Sequence, residues 1–254
     1  FWVTHHMYVT LLTAPIASKY LDNETCLALM LACVCHDIDH RGVNNAFVTK
    51  AGGPLGQLYE SAVMEQHHVT ITIALLAHPM CAVLNNMEPR GVKVVESHVR
   101  DIILATDLAS YFKRKSEFKT LSEGKYDRNN AHHRALLADL LMTSADLSMA
   151  TKPFETNERL SAILYEEFFK QGDMERELGM DVIPMMDREK CDIPQQQVGF
   201  FGFIARDAYV FLVGVVEELG ELVERIDANH VMWKEEVKRG EVGAKENKLY
   251  LPRI

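Results

Sequence analysis

Several features that define other classes of protein are missing from this 254-residue sequence. It has neither a Walker-type glycine loop nor a Gly-x-Gly-x-x-Gly fingerprint, so no glycine-rich phosphate cradle is indicated. It also lacks a basic stripe with interleaved aromatic residues, and its formal net charge of -9 argues against non-specific nucleic-acid binding. We therefore expect no nucleic acid among its partners, and an anionic substrate would need positive charge from a bound metal.

Long apolar runs, interdomain linkers and paired cysteines are absent too. No apolar run approaches the roughly 20 residues of a membrane-spanning helix, so we predict no membrane span. No linker or low-complexity block interrupts residues 1–254, which predicts a single domain. The five scattered cysteines do not resemble a disulfide framework and favour a reducing, cytoplasmic location. Because no signal peptide precedes Phe1 and the sequence does not begin with Met, we expect it to be a segment of a longer polypeptide.

Helical periodicity dominates what is present. Apolar residues recur at three- and four-residue intervals, whereas β-type alternation is nowhere convincing, which predicts an all-α fold, a compact domain of a dozen or more helices. We predict helices near residues 1–13, 25–37, 44–50, 61–76, 92–108, 131–150, 156–170, 195–226 and 228–239.

The densest group of potential metal ligands follows the first long apolar run. His36, Asp37, Asp39 and His40 fall within five residues, and imidazole nitrogens with carboxylate oxygens suit Zn²⁺, Mg²⁺ or Mn²⁺. On a helix, His36 and His40 would share one face with Asp37 beside them, while Asp39 would point elsewhere. A simple helix end is the weaker interpretation, because an aspartate is poorly placed at the negative end of a helix unless a cation offsets it. We therefore expect ligands on a rigid, buried helix end.

Acidic residues also occur within apolar helical segments. Asp139 and Asp146 lie seven residues apart on one predicted helical face, and burying either requires a hydrogen bond, an ion pair or a cation. Periodicity alone does not choose between them as a metal ligand. Glu65 and His68, three residues apart, are neighbours on another predicted helix, where a solvated surface pair is the simpler interpretation.

Five motifs in order along the chain resemble the catalytic domain of class I cyclic nucleotide phosphodiesterases. They are His36-Asp37-Ile38-Asp39-His40-Arg41-Gly42-Val43-Asn44-Asn45, Met64-Glu65-Gln66-His67-His68, Ile103-Leu104-Ala105-Thr106-Asp107-Leu108, Leu141-Met142-Thr143-Ser144-Ala145-Asp146-Leu147-Ser148 and Gln197-Val198-Gly199-Phe200. Residues 126–130, 167–173 and 185–190 most resemble the branch with GAF regulatory domains, in particular its cGMP-stimulated, dual-specificity type.

The resemblance implies a fold, a reaction and a set of site residues. Residues 1–254 would form an N-terminally incomplete catalytic domain of the HD-type metal phosphohydrolase class, an enzyme that hydrolyses the 3′,5′-cyclic phosphodiester of cAMP, cGMP or both to the 5′-monophosphate. Two divalent metal ions are implied, zinc in the tighter site and magnesium or manganese in the second. The implied metal ligands are His36, Asp37 and Asp146, which selects Asp146 over Asp139. Catalytic residues around the metals would be His40, Glu65 and His68, with Thr106 near them.

The resemblance also implies how the base is held. Gln197 would hydrogen-bond the purine, Phe200 would stack on it, and Leu164 would form the opposite jaw. The remaining lining residues would be Tyr165, Phe168, Met185 and Leu147. Whether cAMP or cGMP is preferred stays open, because that depends on which way the Gln197 amide faces.

One family motif has no counterpart here. A His-Asn-x-x-His motif, with the proton-donating histidine and a further zinc ligand, would fall just upstream of Phe1, and neither His5 nor His6 matches it. We therefore expect the segment alone to be impaired in hydrolysis. The alternative is a non-catalytic cyclic-nucleotide-binding module; a more distant HD phosphohydrolase is a third possibility that Gln197 and Phe200 disfavour. Upstream GAF domains and a homodimer are further expectations.

Overall fold

The structure, a computed structural model, describes residues 1–81 and 83–243, with side chains through residue 240. Within these residues there are twelve α-helices and no β-strand, so the all-α prediction is confirmed. The helices are α1 (Trp2–Thr13), α2 (Asn23–Cys35), α3 (Asn45–Lys50), α4 (Pro54–Leu58), α5 (Val63–Leu76), α6 (Pro89–Leu104), α7 (Leu108–Glu123), α8 (Ala131–Asp146), α9 (Phe154–Glu177), α10 (Ile193–Phe200), α11 (Arg206–Val215) and α12 (Gly220–Gly243).

The chain divides into two compact units. Unit 1 comprises Phe1–Ser148 and Val210–Gly220, and unit 2 comprises Met149–Tyr209 and the described residues from Glu221 onward. That residues 1–254 act as one domain stays a prediction.

In unit 1, α2 carries one continuous buried stripe. Its buried residues recur at three- and four-residue intervals and are Thr25, Ala28, Leu29, Ala32 and Cys33. Asp22 caps the helix, because its side chain accepts a hydrogen bond from the Thr25 amide at 2.8 Å. Packing against α1, α6 and α8 fixes α2, and therefore fixes the residues that follow Cys35.

Helix α8 is buried on every side along its second half. All residues from Leu136 to Ala145 are buried, and the helix packs against α1, α2, α6 and α7. Such a helix reads as an almost continuous apolar run, so the charged residues within it need specific partners.

Unit 2 is organised around a core of aromatic and aliphatic residues. Phe201, Tyr209, Ile226 and Trp233 are buried together, with Phe200 packed against them. Within this core the Trp233 indole donates to Asn157 Oδ1 at 2.7 Å. On α9, Gly172 is approached so closely by the Met186 carbonyl that a Cβ would overlap it, so the 3₁₀ turn Pro184–Met186 lies directly on this helix.

The structure corrects several predicted boundaries. The helix predicted over 25–37 ends at Cys35, and residues 36–39 form turns. Asp39 (φ 60°) and Gly42 (φ 68°) adopt left-handed conformations that a continuing helix does not accept. The prediction that His36 and His40 share a helical face was therefore wrong.

Other differences concern whole elements. Helices α4 and α7 were not predicted, and Asp107, expected at the end of a helix, instead caps the start of α7 by accepting from the Ala109 and Ser110 amides. The segment predicted over 195–226 is divided by a π-helical turn, Phe201–Ala205, and the segment 228–239 is part of α12.

One stretch, Ile193–Val215, is long and apolar enough to cross a membrane by length and composition alone. Its mean hydropathy is 1.6, and 33% of its most apolar window is buried. The statement that no apolar run approaches this length was wrong, because the apolar pattern continues through the π-helical turn. The core helix of a soluble protein passes the same test, and Arg206 within the stretch pairs with Asp227 of α12 at 2.7 Å. The absence of a membrane span therefore stays a prediction.

Candidate active site

The residues after α2 bring two potential metal ligands to the end of α8. His36 is 7% exposed, and its Nδ1 donates a hydrogen bond to the Cys33 carbonyl at 3.1 Å. Its Nε2 lies 3.1 Å from Asp146 Oδ1 and 3.3 Å from Asp37 Oδ2. One donor atom from each of His36, Asp37 and Asp146 lies within 4.8 Å of the others. We call these three residues the ligand group.

The two carboxylates of the ligand group require a positive charge between them. Because Nδ1 of His36 already donates to a carbonyl, Nε2 either carries a proton or turns a lone pair toward two carboxylates. Burial lowers the pKa of His36, but the hydrogen bonds with Asp146 and Asp37 outweigh it and raise that pKa to about 10. Protein atoms around its carboxylate raise the pKa of Asp37 even though the side chain is 62% exposed, yet the hydrogen bond from His36 brings that pKa below its usual value. Without a cation, a proton on His36 fills this role.

A divalent cation fits the same position. A histidine that binds a metal normally donates its other ring N–H to a carbonyl or carboxylate, as His36 does to Cys33. One imidazole nitrogen and two carboxylates form a donor set that suits zinc and other first-row divalent ions. The Asp37 side chain remains 62% exposed, which leaves it accessible to further ligands.

Helix α5 supplies His68 next to the ligand group. His68 Nδ1 donates to the Ile38 carbonyl at 2.7 Å, and Nε2 lies 3.9 Å from Asp37 Oδ1. Its ring stacks with that of His40 at a centroid distance of 5.9 Å. Burial lowers the pKa of His68, which favours the neutral imidazole.

Glu65 lies one turn before His68 and is held by an asparagine. Its Oε2 accepts from Asn45 Nδ2 at 2.8 Å, while Asn45 Oδ1 accepts from the Met64 amide at 2.8 Å. Burial raises the pKa of Glu65 above its usual value, although the hydrogen bond from Asn45 opposes the rise. The solvated surface pair considered for Glu65 and His68 is therefore not what the structure shows.

Two further predicted positions have local roles. The Thr106 hydroxyl donates to the Ile103 carbonyl at 2.8 Å, so it closes the end of α6. His40 lies just after the turn, where its Nδ1 accepts from the Gly42 amide at 3.1 Å.

The predicted base-binding residues lie in unit 2, except Leu147, which follows α8 in unit 1. Gln197 is 2% exposed, and Tyr165 is buried near it. Burial raises the pKa of Tyr165 to about 12, so its hydroxyl stays protonated. Phe200 meets Phe201 edge to face at 5.6 Å, and Tyr165 meets Phe168 in the same way at 5.4 Å. Leu164 on α9 and Met185 in the 3₁₀ turn are half-buried.

Comparison with known proteins identifies the family. Residues 1–226 match the family described as 3'5'-cyclic nucleotide phosphodiesterase. The chain belongs to this family. The resemblance found in the motifs is thus confirmed, and with it the assignment to the HD-type metal phosphohydrolase fold.

Individual proteins that are similar to this chain support the same family. A probable 3',5'-cyclic phosphodiesterase, pde-5, from Caenorhabditis elegans is 36% identical over 92% of this chain and 32% of its own length. A cGMP-specific 3',5'-cyclic phosphodiesterase from Drosophila virilis is 35% identical over 95% of this chain and 27% of its own length. A solved structure, LmjPDEB1 in complex with IBMX, superposes with a TM-score of 0.88 at 33% identity, covering 93% of this chain and 72% of that chain. The chain spans about a third or less of the length of the curated relatives it matches.

The sequence did not predict the contacts that three residues of the site region make, namely Asn45, Asp39 and His67. Asn45 supports Glu65, and Asp39 contacts His67. All three lie within motifs that carry the family resemblance, which is the one signal that could have indicated them. Their roles depend on contacts between distant segments, which spacing does not reveal.

Proposed function

We propose that this chain hydrolyses the 3′,5′-cyclic phosphodiester of a cyclic nucleotide to the 5′-monophosphate. The observation that carries the proposal is the ligand group, whose three donor atoms lie within 4.8 Å of one another at the positions where the family resemblance expects metal ligands. Family membership and the names of the relatives support the same reaction.

Zinc and magnesium (or manganese) are the proposed metals. When bound, such cations supply positive charge to the phosphate oxygens and lower the pKa of water. His36, Asp37 and Asp146 would hold the first cation, and the exposed side of Asp37 would serve the second. The proposed role of His40, Glu65 and His68 is to orient water and to hold or pass protons around the phosphate. Burial raises the pKa of Glu65 and lowers that of His68, so the protonation of both differs from that of a solvent-exposed side chain.

Base recognition is proposed for Gln197 and Phe200. Gln197 Oε1 is buried without a hydrogen-bond partner among the described residues, and such an acceptor is normally satisfied. A purine N–H, such as guanine N1–H or the adenine amino group, would satisfy it. The name of the Drosophila relatives favours cGMP as the first substrate to test. GAF domains elsewhere in a longer chain, a homodimer and a cytoplasmic location remain part of this proposal.

The test is product formation by the purified chain. We expect cGMP or cAMP, supplied with Zn²⁺ and Mg²⁺, to yield the 5′-monophosphate by chromatography, at the reduced rate expected of a sequence without the His-Asn-x-x-His motif. We expect a chelator or Asp37→Asn to abolish it. Glu117→Gln, an exposed carboxylate on α7, should leave turnover unchanged. Nucleotide binding by calorimetry without product would support the non-catalytic module instead, and neither binding nor product would contradict both.

A second experiment tests the proposed base contact. Phe200→Ala should weaken cyclic nucleotide binding by about 1–3 kcal/mol, because base stacking on an aromatic ring contributes that much. Zinc content should be unchanged. Phe112→Ala removes an aromatic ring that is 47% exposed on α7 and is the matched control. Equal affinity of the Phe200→Ala variant and the wild type would remove Phe200 from the proposed site.

A further inference from the structure

Two adjacent histidines of α5 contact Ile38 and Asp39, the two residues that separate Asp37 from His40 in sequence. His68 donates to the Ile38 carbonyl at 2.7 Å, and His67 Nε2 lies 2.8 Å from Asp39 Oδ2. Ile38 and Asp39 directly follow Asp37 and precede His40. We call residues 36–42 the ligand turn. Helix α5 therefore contacts the ligand turn at its midpoint through two side chains.

One of the two contacted residues, Asp39, has an unusual backbone conformation. Asp39 has φ 60°, in the left-handed region where residues other than Gly, Asn and Asp are strongly disfavoured. Together with Gly42 (φ 68°), Asp39 turns the chain away from the direction of α2, which ends at Cys35. The directions of Asp37 and His40 both depend on Asp39.

The contact with His67 is better shielded than the other contact of the same carboxylate. Asp39 Oδ2 also accepts from Arg41 Nη2 at 2.7 Å, but the Arg41 side chain is 58% exposed. The His67 side chain is only 12% exposed. An exposed pair two residues apart restrains the chain little, whereas the contact with His67 joins the ligand turn to a separate, packed helix.

We propose that Asp39 and His67 are positioning residues of the metal site, whose contact fixes the left-handed ligand turn and thereby the placement of Asp37. This inference rests on the ligand group of the proposed function. It requires no contact of Asp39 or His67 with metal or substrate.

Paired substitutions separate the possible contributions of Asp39. Asp39→Gly keeps the left-handed conformation but removes the side chain, whereas Asp39→Asn keeps the conformation and an oxygen acceptor while removing the charge. On the other side of the contact, His67→Ala removes the donor and His67→Gln restores one. His132 and Glu117 form a comparable pair on α8 and α7, at 3.1 Å and exposed, so His132→Ala is the matched control.

The readouts are zinc affinity, by competition with a chromophoric chelator, and the visible spectrum of the Co²⁺-substituted protein. Partners of metal ligands typically contribute 10- to 100-fold to metal affinity, so we expect about a tenfold loss in Asp39→Gly and His67→Ala, with an altered Co²⁺ spectrum. The double variant Asp39→Gly/His67→Ala should lose no more than either single variant, since both remove one contact. Asp39→Asn, His67→Gln and His132→Ala should stay near wild type.

Several outcomes would overturn the proposal. These are wild-type affinity in both Asp39→Gly and His67→Ala, an equal loss in Asp39→Asn, which would assign the effect to charge, or an equal loss in His132→Ala. Thermal unfolding checks the fold, and if Asp39→Gly does not fold, the His67→Ala and His67→Gln pair decides. Because affinity and spectrum are measured without nucleotide, a chain that hydrolyses no cyclic nucleotide would still test the positioning role.

Discussion

Helix α8 carries two aspartates seven residues apart, and the two differ in their partners. Asp139 is 5% exposed and pairs directly with the Arg114 guanidinium of α7, while Asp146 lies 3.1 Å from His36 Nε2. Arginine keeps its proton at all relevant pH values, so a metal cannot take its place beside Asp139. Imidazole can release its proton, so a metal can replace that proton beside Asp146. The partner, more than the burial, separates a structural acid from a candidate metal ligand.

Arg114 contacts three side chains, and one of them is Asp139. Arg114 lies over the Phe118 ring at 5.4 Å and within 3.9 Å of Glu117 as well as contacting Asp139. Burial raises the pKa of Asp139 to about 6, although Arg114 opposes that rise. The carboxylate therefore depends on Arg114 to remain charged inside the protein.

The largest expected effect comes from removing the arginine partner. Arg114→Met should destabilise the protein by about 3–5 kcal/mol near neutral pH, because it leaves a buried carboxylate uncompensated. Urea unfolding monitored by circular dichroism measures this. Arg114→Met/Asp139→Leu should recover most of the loss, and if the double variant is as unstable as the single one, the loss is due to packing rather than charge.

The second effect concerns metal. Asp146→Asn should lower zinc affinity by more than about 100-fold, because a ligand contributes more than the 10- to 100-fold of the residues around it. Asp139→Asn, on the same helix, should keep wild-type zinc content by elemental analysis. Loss of zinc in Asp139→Asn with retention in Asp146→Asn would reverse the assignment of the two acids.

The third effect is on pH dependence. The pKa of Asp139 is about 6 in the folded protein against 3.8 unfolded, so the folded state binds the proton more tightly between these values. Stability should then fall as pH rises from about 4 to 6, by about 2–3 kcal/mol relative to Asp139→Asn, which does not titrate. Unfolding of both proteins with a chelator present measures the difference. A constant difference across this range would show that Arg114 holds the pKa of Asp139 near its unfolded value.

The same two aspartates show what the sequence could predict. Apolar periodicity gave the all-α fold and most helices, and it marked both acids as unusual. It could not choose between them, because Arg114 and His36 are 25 and 110 residues away from their respective partners. The family resemblance made that choice. Helix α7 was missed because its many charged residues obscure its apolar stripe, and the ligand turn was missed because residue 39 adopts a conformation that its tertiary contact with His67 supports.

The smallest expected effect tests whether distance alone could account for the contrast. Arg225 and Glu221, four residues apart on α12, are 2.6 Å apart, closer than His36 and Asp146, but their side chains are 52% and 71% exposed. Exposed pairs at this spacing contribute about 0.3–0.5 kcal/mol, since water screens the attraction and ordering two long side chains opposes it. Glu221→Gln should therefore change the unfolding free energy by about that amount, and less in high salt. A loss comparable to that of Arg114→Met would mean that short contact, rather than removal from water, determines what an acid contributes in this protein.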